Sequence, residues 1–387
     1  MRYRQFGKLD WKASALGFGM MRLPTTSEKP EHINGREALR IVRHAIDQGV
    51  NYIDTAWAYH NERSEPFTGR VLQDGYRAKV RLATKLPCWL VETREDCDKY
   101  LNEQLHRLQT DHVDFYLLHA LNRKSWRKMR DLGVLRWAEG AISDGRVGHL
   151  GFSFHDEYDA FQEIVDAYSG WAFCQIQYNY MDVEHQAGAK GLQYAASKGL
   201  AVVIMEPLQG GRLANPPARI RQIWARAPQR RSPVAWALHW LWSQPEVSLV
   251  LSGMTAMEHV QENLAIAVRS AVGTLDQEQV SFVSRVRDAY REVCPIPCTK
   301  CRYCMPCSSG VDIPRVLDVF NAGRMHDDLE GARSGYKWVP EAQRAHNCTQ
   351  CLQCEEICPQ QIPVSEWMER VEQVLTEGKP YEECLLP

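Results

Sequence analysis

Eight short apolar runs, each followed by a longer amphipathic one, set the limits on what this chain can fold into. The runs are Ala15–Gly19, Tyr52–Asp54, Val80–Lys85, Val113–Leu118, His149–Phe152, Cys174–Gln177, Ala201–Met205 and Ser248–Leu251. They are brief and rich in aliphatic and aromatic residues, as strands buried on both faces must be. The segments between them carry helical periodicity. Gly35–Gln48 brings Ala38, Ile41, Val42 and Ala45 to one face, and Thr93–Leu108 does the same with Tyr100, Leu101, Leu105 and Leu108. Ser125–Ser143, Glu157–Tyr168, His185–Lys198, Pro233–Trp242 and Ala256–Val268 extend the series. Strand and helix alternating eight times predict an α/β protein of the (β/α)8 TIM-barrel type. A doubly wound open sheet would need a Gly-rich phosphate turn after the first strand, and Gly17-Phe18-Gly19-Met20-Met21-Arg22 does not have the G-x-G-x-x-G form. Arg2–Lys12, polar at Lys8 and Asp10, predicts a hairpin that closes the barrel floor.

The pattern stops near residue 275. One more helix is expected over 276–293, and Cys294-Pro295-Ile296-Pro297 then breaks it. The expected organisation is a barrel over 1–275, a connecting helix over 276–293 and a small helical domain over 294–387. The last part holds ten of the 13 cysteines. Within it, helices are expected over Pro314–Asn321 and Val364–Thr376, with a polar loop over Gly323–Gly335. Met1–Leu9 lacks the apolar stretch that heads secreted chains, and no run of about 18 apolar residues suggests a membrane span. Cysteines in such a chain point to a reducing cytoplasm and to metal or redox work. A net charge of −2 gives no field for nucleic acid.

Two cysteine runs define the tail. The second, Cys348-x₂-Cys351-x₂-Cys354-x₃-Cys358-Pro359, has the spacing that gives three thiolates to one [4Fe–4S] cubane and the fourth to a neighbouring cluster. Structural zinc and disulfides are the rival readings, but zinc favours separated C-x₂-C pairs, and a third cysteine at the same step is surplus to a tetrahedron. The first run, Cys298-x₂-Cys301-x₂-Cys304-x₂-Cys307, is one residue shorter at its last step and is followed by Ser308. Two crossed clusters are expected: Cys298, Cys301 and Cys304 with Cys358, and Cys348, Cys351 and Cys354 with Cys307. A single cluster is the alternative. The helices around the runs suggest a helical ferredoxin-like module. Cys88, Cys97, Cys174, Cys294 and Cys384 read as incidental.

Polar residues at the C-terminal ends of barrel strands are the catalytic candidates. Here they are Asp54, with Tyr59 just beyond, then Lys85 and His119. A carbonyl reduced by hydride needs a proton at its oxygen. A tyrosine beside a lysine can give it, the lysine lowering the phenol toward neutrality and the aspartate balancing the lysine. Histidine can orient the carbonyl. Trp57, Trp89 and Trp126, just past strand ends, either line a pocket or pack.

Asn51-Tyr52-Ile53-Asp54-Thr55-Ala56…Tyr59, Ala83-Thr84-Lys85 and Leu117-Leu118-His119 resemble the aldo-keto reductase family, over about residues 1–270. The resemblance implies that Asp54, Tyr59, Lys85 and His119 form a catalytic tetrad with Tyr59 as general acid, and that the cofactor is NADP or NAD. By the same resemblance Ser153 and Gln175 would hold the nicotinamide carboxamide, with Met205 where many members place an aromatic ring. Leu208, Gly210 and Gly211 would line the pyrophosphate path, and Ser252, Gly253, Met254, Glu262 and Asn263 would meet the adenosine end. There are departures: Phe154 and His155 follow Ser153 in place of asparagine, and the usual 2′-phosphate residues are missing, with His259 where arginine is common. The whole chain is similar to a bacterial and archaeal branch called ferredoxin-like aldo-keto reductases. That implies hydride transfer with a small carbonyl or alcohol substrate; the clusters would either pass electrons from a ferredoxin- or flavodoxin-type partner or serve only as a lid and staple. Two other readings stay open: a radical dehydration or deoxygenation using a cluster electron with Tyr59 and Lys85, and a non-enzymatic redox sensor.

Overall fold

The computed structural model describes residues 1–384 apart from Thr299, Cys301 and Pro359, so that of the expected cluster ligands Cys301 lies outside the described residues. A hairpin of β1 (Tyr3–Gln5) and β2 (Lys12–Ser14) comes first. Eight parallel strands then close into a barrel: β3 (Leu16–Gly19), β4 (Tyr52–Asp54), β5 (Arg81–Leu86), β6 (Val113–Leu121), β7 (Val147–Phe154), β8 (Phe173–Gln177), β9 (Ala201–Met205) and β10 (Val247–Ser252), with β10 pairing to β3. The helices between them are α1 (Gly35–Asp47), α2 (Ser64–Val71), α3 (Arg94–Leu108), α4 (Arg123–Asp131), α5 (Val134–Ser143), α6 (Tyr158–Asp166), α7 (Gly188–Ser197), α8 (Ala218–Trp224), α9 (Pro233–Trp242) and α10 (Met257–Ala267). The one helix expected over Ser125–Ser143 is two. Gly133, at φ 72°, takes a left-handed turn that ends α4 and starts α5. The sequence reading did not anticipate α2 and α8, which are only eight and seven residues long.

Period-two alternation sorts each strand into two faces. Ile53, Leu82, Tyr116, Leu118, Cys174, Ile176, Val202 and Ile204 belong to the large core under the helices. Tyr52, Ala83, Phe115, Leu117, Phe173, Ala201 and Val203 fill the barrel interior. Phe6 of the hairpin caps that interior from below, its ring centroid 4.9 Å from Phe115. Burying such a ring contributes about 2–3 kcal/mol. The register partner of Phe173 is Gly151, and a Cβ there would stand 2.5 Å from the Phe173 ring, so the filled interior requires a glycine. Because the bottom of the barrel is packed with apolar rings, the next inward positions along β4, β5, β6 and β8 lie at the top. Those positions are Asp54, Lys85, His119 and Gln175.

Packing divides the chain into two compact units, Met1–Ala214 with Arg231–Val280, and Asn215–Arg230 with Ser281–Pro387. The division falls within α11 (Gln277–Arg291). The second unit adds α12 (Ile313–His326), α13 (Leu329–Tyr336), α14 (Gln353–Glu356) and α15 (Val364–Leu375). Its core centres on Phe320, whose ring lies 5.6 Å from Trp367 and 4.9 Å from Tyr381. The segment Gly323–Gly335, expected to be a loop, is mostly helix. Asp327, at φ 52°, ends α12, and Asp328 caps α13 by accepting the Gly331 N–H at 2.9 Å. No helix among the described residues is long and apolar enough to cross a membrane.

Candidate active site and cluster ligands

Lys85 is the hub of the barrel mouth. Its ammonium, wholly buried, donates to Asp54 Oδ1 at 2.6 Å, to the Thr55 carbonyl at 2.8 Å and to Tyr59 Oη at 3.2 Å. The Tyr59 and His119 rings meet edge to face at 6.0 Å, and the half-exposed Trp89 ring lies 5.1 Å from His119. The structure thus brings the four expected catalytic residues together. Of the three tryptophans in question, Trp89 borders this site. Trp57 is buried beneath the Arg107 guanidinium, 3.6 Å from the ring centroid. Trp126 is a core residue against Trp171.

Charge sets the protonation of each group. Burial works to lower Lys85, but Asp54 and then Tyr59 outweigh it and hold the ammonium above its ordinary value. Burial raises the Asp54 carboxyl, and Lys85 pulls it back. Lysine was expected to draw the Tyr59 phenol toward neutrality, but the phenol stands above its ordinary value. Burial strips water from the phenolate, the Asp54 charge adds to that, and together they exceed the help from Lys85. Tyr59 therefore holds its proton at neutral pH. Burial, reinforced by the Lys85 charge and by His155, keeps His119 well below its ordinary value, so its imidazole is neutral.

The fit of the mouth to a nicotinamide is tested by its polar atoms. Gln175 is buried, its Nε2 is 3.9 Å from Met205 Sδ, and its Oε1 is without a hydrogen-bond partner among the described residues. Ser153 Oγ accepts the Ala120 N–H at 2.7 Å and keeps its own proton to donate. An acceptor and a donor at adjacent strand ends, in register with each other, suit a carboxamide. The turn after β9 carries positive φ at Glu206, Gln209, Gly210 and Gly211. Leu208 is half-buried within it. A Cβ at Gly210 would stand 3.0 Å from Arg22 Nη2, and one at Gly253 would stand 3.0 Å from Arg22 Cβ. Asn263 donates to Ser252 Oγ at 3.0 Å, Glu262 accepts from Ser232 at 2.7 Å, and the Met254 side chain is in the core.

The sequence reading passed over a polar group behind Lys85. Glu65 Oε1 accepts from Thr84 Oγ1 and Gln104 Nε2, each at 2.6 Å, and Gln104 also donates to the Lys85 carbonyl at 3.0 Å. Tyr116 donates to Gln104 Oε1 at 2.7 Å. The available signal was Gln104, a polar residue on the apolar stripe of Leu101, Leu105 and Leu108.

In the second unit, seven of the eight expected ligands are described, and none of the seven is in a disulfide. Cys298, Cys304, Cys307, Cys348, Cys354 and Cys358 pack against the unit's core, while Cys351 is exposed. The two runs meet: Cys354 feels the charges of Cys348 and Cys304, and Ser308, next to Cys307, places its Oγ 3.6 Å from Cys351 Sγ. Ser309 and Thr349 bond at 2.8 Å across the same junction. Among the described residues no three donors converge as they would on one metal ion; a cubane is wider than an ion and asks for thiolates set farther apart. Cys88, Cys97 and Cys174 are buried, and burial pushes the first two up to about 12.

Residues 297–362 match the 4Fe-4S dicluster domain, which implies [4Fe–4S] iron–sulfur. L-Galactose dehydrogenase of Arabidopsis thaliana is 25% identical over 75% of this chain and 95% of its own. 6-Dehydroglucose reductase of Novosphingobium aromaticivorans is 28% identical over 55% of this chain and 71% of its own. The holo form of an aldo-keto reductase from Bacillus halodurans covers 74% of this chain and 96% of its own at 23% identity and a TM-score of 0.62, a likeness of fold. The Aldo/keto reductase family signature spans residues 15–288, and with it NAD(P)-dependent oxidoreductase chemistry is implied: the chain belongs to the aldo-keto reductase family.

Proposed function

We propose that this protein transfers hydride between a nicotinamide cofactor and a carbonyl or alcohol substrate, with Tyr59 as general acid, and that its tail carries two crossed [4Fe–4S] clusters exchanging electrons with a ferredoxin- or flavodoxin-type partner. The observation that carries the reading is Lys85, wholly buried, bonding Asp54 and Tyr59 at once. A nicotinamide, when bound, supplies or accepts the hydride. Gln175 and Ser153 would hold its carboxamide, Leu208, Gly210 and Gly211 its pyrophosphate, and Ser252, Gly253, Glu262 and Asn263 its adenosine end, with Met205 beside the ring.

The rest is work for the chain's own side chains. His119, neutral, orients the carbonyl without adding a charge beside Lys85. Tyr59 gives its proton to the carbonyl oxygen as negative charge grows there. Lys85 is 3.2 Å away to stabilise the phenolate left behind, and Asp54 keeps Lys85 charged. The nearness of Ser308 to Cys351 supports Cys307 as the fourth ligand of the cluster held by Cys348, Cys351 and Cys354. Two relatives are named for sugar oxidoreduction, so hydroxylated aldehydes and lactols are the first substrates to test.

The test is anaerobic turnover: NADH or NADPH with such carbonyls, followed by loss of reduced-nicotinamide absorbance, in wild type and Tyr59→Phe. Removing the acid should cut turnover by about 10²- to 10⁴-fold. Iron and sulfide analysis with electron paramagnetic resonance counts the clusters. Turnover that needs a one-electron reductant and no nicotinamide would refute the hydride reading.

A further inference from the structure

Directly after Tyr59 the backbone does something unusual. His60, Asn61 and Glu62 follow one another at φ 52°, 49° and 66°, all left-handed and none a glycine. Such a run persists only where the surroundings hold it. Asn61 Nδ2 donates to Glu31 at 2.8 Å and Glu62 accepts from Arg107 at 2.9 Å, both at the surface. The buried tie is His60. Its Nδ1 is 2.6 Å from the Pro30 carbonyl and its Nε2 is 3.1 Å from the Leu23 N–H. A carbonyl only accepts and an N–H only donates, so Nδ1 carries the proton and Nε2 the lone pair. Both partners lie in the segment between β3 and α1. Ser64 adds a third link, donating to the Met20 carbonyl at 3.4 Å.

That segment reaches the expected cofactor path. Leu23, whose N–H His60 accepts, follows Arg22, and Arg22 lies against Gly210 and Gly253. From the tyrosine to the two glycine turns there is thus one line of contacts: Tyr59, His60, Leu23, Arg22. We propose that His60 is a positioning residue. It locks the strained turn so that the Tyr59 hydroxyl stays within reach of Lys85, and it fixes that hydroxyl relative to the backbone lining the nicotinamide's path. The inference rests on the reading of Tyr59 as general acid. His60 touches neither substrate nor cofactor; it acts through the turn.

Glutamine has an amide N–H and a carbonyl that can replace the two ring nitrogens, and asparagine has the same groups one methylene too short to reach both partners. Asparagine also tolerates the left-handed backbone, so His60→Asn cuts the bond to the Leu23 N–H, and with it the double tie, without forcing the turn. Turnover of 4-nitrobenzaldehyde with NADPH or NADH by the anaerobic, cluster-loaded protein is compared for wild type, His60→Asn, His60→Gln and Tyr59→Phe, with thermal melting of each. His60→Asn should lower kcat by about ten- to a hundredfold and leave KM for aldehyde and cofactor nearly unchanged, since the loss is one of alignment. His60→Gln should recover most of it. A role confined to stability would lower the melting temperature of His60→Asn with kcat retained at a temperature where it is folded, and that outcome overturns the proposal. Equal losses in His60→Asn and His60→Gln overturn it as well. An inactive Tyr59→Phe beside a fully active His60→Asn refutes the latch alone, whereas an active Tyr59→Phe refutes the general-acid reading and the latch together.

Discussion

Replacing Asp54 by asparagine keeps the shape of the site and removes the carboxylate paired with Lys85. Lys85 would then be a cation with no exposed surface, bonded only to neutral groups: the amide, the Thr55 carbonyl and the Tyr59 hydroxyl. Breaking one side of a buried pair costs about 3–5 kcal/mol. The lysine sets the ceiling, because it can shed its proton. Doing so at pH 7, from an ordinary value of 10.5, costs about 1.4 kcal/mol per unit, about 5 kcal/mol in all. The sign of the pH dependence follows. In the wild type Lys85 is held above 10.5, so its contribution is complete below that pH and is lost as pH rises through the higher folded value. In Asp54→Asn the main opposition to burial is gone, and burial pulls the value below 10.5. The unfolded chain then binds a proton that the folded one releases, and stability rises with pH across the interval between. Between pH 7 and 9 the defect should shrink by up to about 2.7 kcal/mol. Urea unfolding at pH 7, 8 and 9 under anaerobic conditions, followed by tryptophan fluorescence, measures both quantities, since most of the tryptophans belong to the barrel unit. A defect below about 1 kcal/mol, or one that does not narrow with pH, would mean that Lys85 is not an uncompensated buried cation and that the reasoning is wrong.

Two further outcomes are expected. If Ser308 Oγ donates to Cys351 Sγ, Ser308→Ala should make the proposed cluster that Cys351 ligates harder to reduce and leave the second proposed cluster unchanged, read by redox titration with electron paramagnetic resonance; unchanged potentials throughout would remove Ser308 from the ligand environment. Because His119 is held neutral by burial and by Lys85, kcat/KM for carbonyl reduction should show no ionisation near the ordinary histidine value of about 6.5, and a limb there that vanishes in His119→Asn would contradict the assignment.

What the sequence disclosed and what it withheld have a common physical cause. Strand positions were legible because a buried parallel strand must be a short apolar run; all eight barrel strands overlap the expected ones. Asp54, Lys85 and His119 were legible because each interrupts such a run at its C-terminal end, where a charge is tolerated only if something uses it. The cysteine module was legible from spacing alone. The α4–α5 break was not, since Gly133 sits in a stretch whose helical periodicity continues on both sides. The region Gly323–Gly335 misled because two caps, Asp327 and Asp328, read as loop chemistry when they join two helices. His60 carried no signal. A histidine in a turn acquires its meaning only from Leu23 and Pro30, 37 and 30 residues away.

The polar group behind Lys85 explains why a charged pair can be kept in a packed barrel. β5 alternates faces, so Lys85 points inward while Thr84 points outward toward α2 and α3. Thr84 bonds Glu65 there, and Gln104 spans both Glu65 and the Lys85 carbonyl. The strand is therefore gripped by hydrogen bonds on its outer face at the residue where its inner face presents the ammonium. Burial raises the Glu65 carboxyl, and bonds from Thr84 and Gln104, then Arg107, act against that rise. Neither the Asp54–Lys85 pair nor the Glu65 network is a good source of stability, because each must repay the loss of water around charge. What the two layers provide is a fixed position. An ammonium free to move by an ångström would trade Tyr59 for solvent, and the same ammonium clamped from behind has Asp54, Thr55 and Tyr59 as its partners. On the proposed reading of Tyr59, rigidity at Lys85, and at Tyr59 through its turn, would let a phenol with a raised pKa serve as the acid: it keeps its proton until charge develops on an oxygen placed within its reach.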